Sequence, residues 1–138
     1  MPHAGQEIER ANGFVLRIES LDDELLDMEA RYRGDAPLAQ VHLHPAQDEH
    51  FEVLEGTIHA VVDGDERFFE AGETFDVPAG TPHQMAAKGP TRVRWQVRPA
   101  LRTAEFFERF YDALDNGFPD GVTREDFLEE YSDVFRLA

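Results

Sequence analysis

Residues 14–98 form a succession of short segments in which apolar and polar side chains alternate, each ended by Gly, Pro or Asp, with no helical period between them. That pattern restricts the chain to an all-β sandwich or barrel. Strands are expected at 14–20, 25–32, 40–44, 50–55, 57–63, 67–69, 74–77, 83–87 and 91–98. Gly56 separates two of them, and Asp63-Gly64-Asp65 is a hairpin turn signal. In the last strand Val93, Trp95 and Val97 share one face and Arg92, Arg94, Gln96 and Arg98 the other. One face therefore looks inward, and the Arg-lined face looks to solvent or to a second subunit.

After Pro99 the period changes from two to that of a helix. Phe106, Phe107, Phe110, Tyr111 and Leu114 fall on one stripe, with Thr103 as N-cap and Asn116-Gly117 as the stop. Thr123 with Asp126 three residues on opens a second helix as a capping box, with a stripe of Phe127, Leu128, Tyr131, Val134 and Phe135. These aromatics are read as packing against the barrel. The division expected is a barrel over 1–101 and a helical extension over 102–138 that is not an independent domain.

With 138 residues, 41% of them hydrophobic and 11 of them Phe, the chain has enough apolar side chains for a packed core without disulfides. Cys is absent, so any metal ligand must be His, Asp, Glu or water. A net charge of −16 opposes binding to nucleic acid or to anionic membranes, which need Lys and Arg to displace counterions. Lys88 is the only Lys. Dense carboxylates with almost no Lys resemble the proteins of salt-loving organisms, where a Debye length of about 3 Å at molar salt screens self-repulsion. No run is long and apolar enough to cross a membrane as a helix, and residues 1–13 lack the apolar stretch of a signal peptide, so a cytoplasmic protein is expected.

The chemistry concentrates in two short segments. His42 and His44 are two apart on an extended strand and so point to one face. Pro45 ends that strand, and Glu49 opens the next, about 4.8 Å away in a sheet. His83 begins a later strand after the turn Pro78-Ala79-Gly80-Thr81-Pro82. Three imidazoles and a carboxylate converging on an interior point suit a borderline divalent metal. His3, His50 and His59 read as surface or hydrogen-bonded residues.

The same segments carry a family resemblance. His42-x-His44, four residues, Glu49, six residues, Gly56 is followed by Gly72, five residues, Pro78-x-Gly80, two residues, His83. This pair resembles the two motifs of the cupin superfamily in its small single-domain form. The resemblance implies a jelly-roll β-barrel with the C-terminal helices appended, and a homodimer. It also implies one divalent transition metal (Fe, Mn, Zn, Ni or Cu) on His42, His44, Glu49 and His83. Two positions depart from the pattern: Ala36 stands for the Gly that opens the first motif, and Ala87 for the Asn that often ends the second. Neither is a ligand position.

Four protein ligands leave one or two positions open on a six-coordinate ion, as at catalytic or ligand-binding centres. Phe51 and Val53 share a face with Glu49, Met85 with His83, and Trp95 stands opposite, so a mostly apolar pocket is expected. Gln40 and Gln84 read as surface polar residues, with orientation of a substrate as the alternative. Such a pocket suits a small organic molecule with oxygen donors. The resemblance implies two classes of function. One is an enzyme: a non-haem oxygenase, or an isomerase, epimerase or decarboxylase. The other is a non-catalytic metal-dependent binding or sensing module. A fold alone does not choose between them.

Overall fold

The computed structural model describes residues 1–138. Its elements are β1 (Glu7–Glu9), β2 (Val15–Leu21), β3 (Leu26–Tyr32), β4 (His42–Leu43), β5 (Asp48–Val62), β6 (Asp65–Glu70), β7 (Thr74–Val77), β8 (His83–Arg98), α1 (Thr103–Asn116), α2 (Arg124–Glu130) and β9 (Arg136–Leu137). All strand pairings are antiparallel, and β5 and β8 form the longest ladder, from Asp48↔Arg98 to Val62↔His83. The other edge of β8 is shared, with β3 along Thr91–Val97 and with β4 at His83. The sheet runs β1-β2-β3-β8-β4-β9, β5 branches from β8 and in turn pairs with β6 and β7, and the sheet folds over on itself without closing.

Two segments expected as four strands are two. Gly56 and Gly89-Pro90 look like breaks, yet the β5–β8 ladder continues past them through register shifts at Val53/Glu55 and Glu55/Thr57. A bulge absorbs the turn signal without ending the strand. Gly56 has φ +82, and a Cβ there would meet the Pro90 carbonyl oxygen and lie 2.9 Å from Thr91 Cα. Gly56→Ala is therefore expected to destabilise the fold by about 2 kcal/mol or more, from left-handed strain plus the clash. Urea unfolding checks this, and an unchanged midpoint would show that the bulge relaxes freely.

Apolar side chains form two cores. Phe51, Val53, Ile58, Ala60, Phe75, Val77, Ala87 and Val93 fill the fold of the sheet. The second core lies under the helices, where Leu16, Ile18, Leu26 and Met28 meet Phe106, Phe107, Phe110, Phe127 and Tyr131. Phe106 is its hub, with rings of Phe110, Tyr131 and Phe135 at 5.1, 5.4 and 4.8 Å.

The α2 capping box is present, with Thr123 and Asp126 exchanging side-chain to backbone bonds. Thr103 is not an N-cap. It is the first helical residue of α1, and its hydroxyl accepts from Gln47 Nε2 at 2.5 Å. The second stripe also outruns its helix: α2 stops at Glu130, and Val134 and Phe135 reach the core from the turn that follows. On the outer face of β8, Arg92 pairs with Glu29 and Glu55, and Arg94 with Asp27. These two cations are therefore already partnered within the chain. No helix is long and apolar enough to cross a membrane.

Candidate metal centre and cavity

β4 ends at Leu43 and carries His42, with His44 just beyond it; β8 opens at His83, which pairs directly with His42 across the ladder. The Pro78–Pro82 turn before His83 is stitched to the His44–Asp48 segment. Gly80 N–H donates to the His44 carbonyl at 2.9 Å, and Ala79 N–H donates to the Asp48 carboxylate at 2.8 Å. One hydrogen-bonded unit thus places three of the four side chains. Glu49, the second residue of β5, is held between β7 and β8 by its neighbours Val77 and Val97.

The ring nitrogens that His42, His44 and His83 could offer to an ion all lie within 4.8 Å of one another. Glu49 Oε1 stands 3.2 Å from His44 Nε2 and 3.0 Å from His83 Nε2. Each imidazole is pinned through its other nitrogen to a backbone carbonyl. His42 Nδ1 is 2.8 Å from Gln40 O, His44 Nδ1 2.7 Å from Val134 O, and His83 Nδ1 2.9 Å from Thr81 O. A carbonyl only accepts, so Nδ1 carries the hydrogen and, in the neutral ring, Nε2 presents a lone pair. Trp95 Nε1–H donates to Glu49 Oε2 at 2.7 Å, which leaves Oε1 facing the imidazoles.

Lone pairs and a carboxylate aimed at one buried point repel unless a cation sits between them. His44 Nε2 and Glu49 Oε1 are fully buried and have no hydrogen-bond partner. Ligand atoms about 2.1 Å from a shared ion and at right angles stand about 3 Å apart, which matches the spacings at Glu49 Oε1. The donor set of imidazole nitrogens and one carboxylate oxygen, with no sulfur, fits Fe, Mn, Zn, Ni or Cu.

In the metal-free centre the neutral form of His42 and the charged form of Glu49 suit ligation, whereas Glu49 draws His83 toward its protonated form. Burial, followed by the neighbouring His83 and His44, lowers His42 from 6.5 to about 4. Burial pushes the Glu49 carboxyl up, but His44, His83 and the Trp95 N–H outweigh it and hold the carboxyl below its ordinary value. Burial lowers His83, and the adjacent Glu49 carboxylate outweighs that and raises it.

Beside these residues opens a cavity of about 340 Å³. Of the residues expected on its wall, Phe51, Met85, Trp95 and Gln40 line it. Val53 does not. It is wholly buried in the inner core opposite Val93, nearer the Gly56 bulge, where the folded sheet covers it. Gln40 is exposed at the rim, with its side-chain oxygen accepting from Arg124 Nη2 at 2.9 Å. Gln84 is tied to the Ala39 carbonyl and is not on the wall. His59 lies away from the cavity, stacked on Phe68 at 4.4 Å and 3.0 Å from Glu66.

Much of the wall comes from residues with no site motif of their own: Tyr32 from β3, Phe107, Phe110 and Tyr111 from α1, and Phe135 near the C-terminus. Phe135 stacks on the His42 ring at 4.9 Å and 18°. The aromatic stripes read as core are thus core on one side and cavity wall on the other.

The cupin domain family model matches residues 28–97, the stretch that carries all four of these side chains, and the chain belongs to that family. Among solved structures it is similar to an RmlC-like cupin from Shewanella frigidimarina, at 23% identity over 70% of this chain and 86% of the other, with a TM-score of 0.64. It is also similar to KdgF from a Halomonas species, at 20% identity over 68% of this chain and 86% of the other, with a TM-score of 0.62. Likenesses at these identities concern the fold. No curated protein matches the chain.

Proposed function

We propose that this cupin binds one divalent transition metal ion through His42, His44, Glu49 and His83, and through it binds or transforms a small organic molecule with oxygen donors. The observation that carries the reading is the pair of buried, partnerless atoms, His44 Nε2 and Glu49 Oε1, facing each other at 3.2 Å beside an aromatic cavity. When bound, such an ion supplies a Lewis acid with positions open to an oxygen ligand. The chain's own side chains do the rest. Trp95 fixes the orientation of Glu49, three carbonyls fix the imidazoles, and the aromatic wall excludes water from an apolar ligand body.

Apart from His42, Glu49 and His83, the titratable groups on the wall are Arg10, Tyr32, Tyr111 and Arg124. Burial raises Tyr32 to about 12 and raises Tyr111 further. Neither tyrosine is thus a base or acid poised near neutrality, as general acid–base chemistry requires. This favours an oxygenase or a metal-dependent binding module over an isomerase or epimerase.

Purified protein should carry about one equivalent of metal, and an oxygen-donor ligand should perturb the spectrum of the cobalt(II)-loaded form. Oxygen uptake by the iron(II)-loaded form on adding the ligand separates an oxygenase from a binding module. Affinity should also fall on acidification. In the metal-free centre His83 takes its proton above the ordinary imidazole value, so competition begins there. His42 stays neutral until about pH 4, where a second loss should follow. Metal affinity flat from pH 8 to pH 4 would remove the imidazoles from the coordination shell.

A further inference from the structure

Resting on the metal-centred reading above, we infer that the cavity has a second polar subsite, built from Arg10, Asn12, Tyr32 and Tyr111, that takes the distal carboxylate of a ligand whose other end faces the His42–His83 centre. The four residues come from the segment before β2, the end of β3 and the middle of α1, and all line the same cavity. Phe14 gathers them. Its ring lies 5.1 Å from that of Tyr32 and 5.6 Å from that of Tyr111, and Arg10 Cζ stands 5.4 Å over the Tyr111 ring. Arg10 N–H also donates to the Phe14 carbonyl at 2.8 Å.

What marks this corner is its stock of unused donors. Neither the Tyr32 nor the Tyr111 hydroxyl bonds any protein group, and both residues are half-buried on the cavity wall. Both keep their protons at any working pH, because burial raises them. Asn12, exposed at the rim, uses its oxygen to accept from Phe14 N–H, and its NH₂ bonds no other protein group. Arg10 gives Nε and Nη2 to Asp115, which leaves Nη1. Four side chains therefore bring donors to this part of the cavity: an amide NH₂, a guanidinium N–H and two hydroxyls that can donate or accept. A carboxylate, with about four lone-pair sites, is the small group that consumes such a set.

Between this corner and the metal centre the wall is aromatic. Tyr111 stacks on Phe107 at 5.2 Å, Phe107 meets Trp95 edge-on at 4.9 Å, and Trp95 bonds Glu49. The ligand class is thus an organic acid with an apolar middle, metal-binding oxygens at one end and a carboxylate at the other. In a chain of net charge −16 an anionic ligand gains little from long-range attraction, so its recognition has to be local.

The test uses cobalt(II)-loaded full-length protein and matched pairs of α-keto acids. The pairs are α-ketoglutarate against α-ketopentanoate and α-ketoadipate against α-ketohexanoate, which differ only in a distal carboxylate or methyl. Titration followed by the visible bands should show the diacid of at least one pair binding about tenfold tighter or more. Tyr32→Phe and Tyr111→Phe should each erase about tenfold of that preference, read as the ratio of diacid to monoacid affinity within each variant, with the metal content unchanged. Equal affinity of diacid and monoacid in both pairs would overturn the subsite and leave the metal reading standing. So would a preference that survives both Tyr variants and disappears in Arg124→Met, which would move the recognition to the opposite rim. If no keto acid perturbs the cobalt bands, the open metal centre fails and the subsite fails with it.

Discussion

His83→Ala protein is expected to emerge from dialysis with less than about a tenth of an equivalent of metal, with its affinity lowered at least 100-fold. Changes outside the coordination shell of metal sites already cost 10- to 100-fold, and a ligand should cost more. His83 is also the imidazole closest to Glu49 Oε1, at 3.0 Å, so its loss leaves that buried oxygen opposed to His44 alone. The barrel should stay folded, because His83 belongs to neither apolar core. Far-ultraviolet circular dichroism unchanged beside lost metal would separate ligation from folding. Stoichiometric metal in the His42→Ala/His44→Ala double variant would sink the assignment.

The parts of this centre that were legible in the sequence are those in which spacing translates directly into direction. His42 and His44 are two apart on an extended segment, and a two-residue period fixes a shared face. The Gly-Pro punctuation before His83 marks the turn that delivers it. Strand number was less legible, for a physical reason. Gly56 and Gly89 both have positive φ, which in a sequence signals a turn, whereas here each lies within a continuing strand. The strands β1 and β9 are three and two residues long and carry no period of their own; they exist only because β2 and β4 offer edges to pair with.

The distal end of the cavity was the least legible. Tyr32 occupies a β3 position and Tyr111 an α1 stripe, and each is fully explained locally as a core aromatic. Their second role arises when the helical extension folds back across the barrel, a long-range event that no local pattern encodes.

Removing residues 132–138 should therefore do more than trim a terminus. β9 pairs with β4 at His42↔Leu137 and Leu43↔Arg136, and Ala138 N–H donates to the Val41 carbonyl at 3.0 Å. Within that segment the Val134 carbonyl holds His44 Nδ1 at 2.7 Å, and Phe135 lies flat on His42. Without them His44 loses the bond that fixes its tautomer, and the His42 ring loses the aromatic face stacked on it and keeps only the Gln40 carbonyl. A loss of 10- to 100-fold in metal affinity is expected from removing such support. Loss of the buried Phe135 side chain adds about 3 kcal/mol or more of destabilisation. The two effects are separable, because Gly56→Ala also destabilises the fold and a Cβ there would meet Pro90 and Thr91, not any of the four proposed ligands. Below the melting transition of both variants, Gly56→Ala should bind metal like the parent protein, while the truncated protein should bind it weakly. Equal affinities would reduce the C-terminal segment to packing. Unequal ones would make the two ends of the cupin motif and the last strand of the chain a single metal-binding unit, in which orientation of the first histidine pair depends on a segment outside the matched domain.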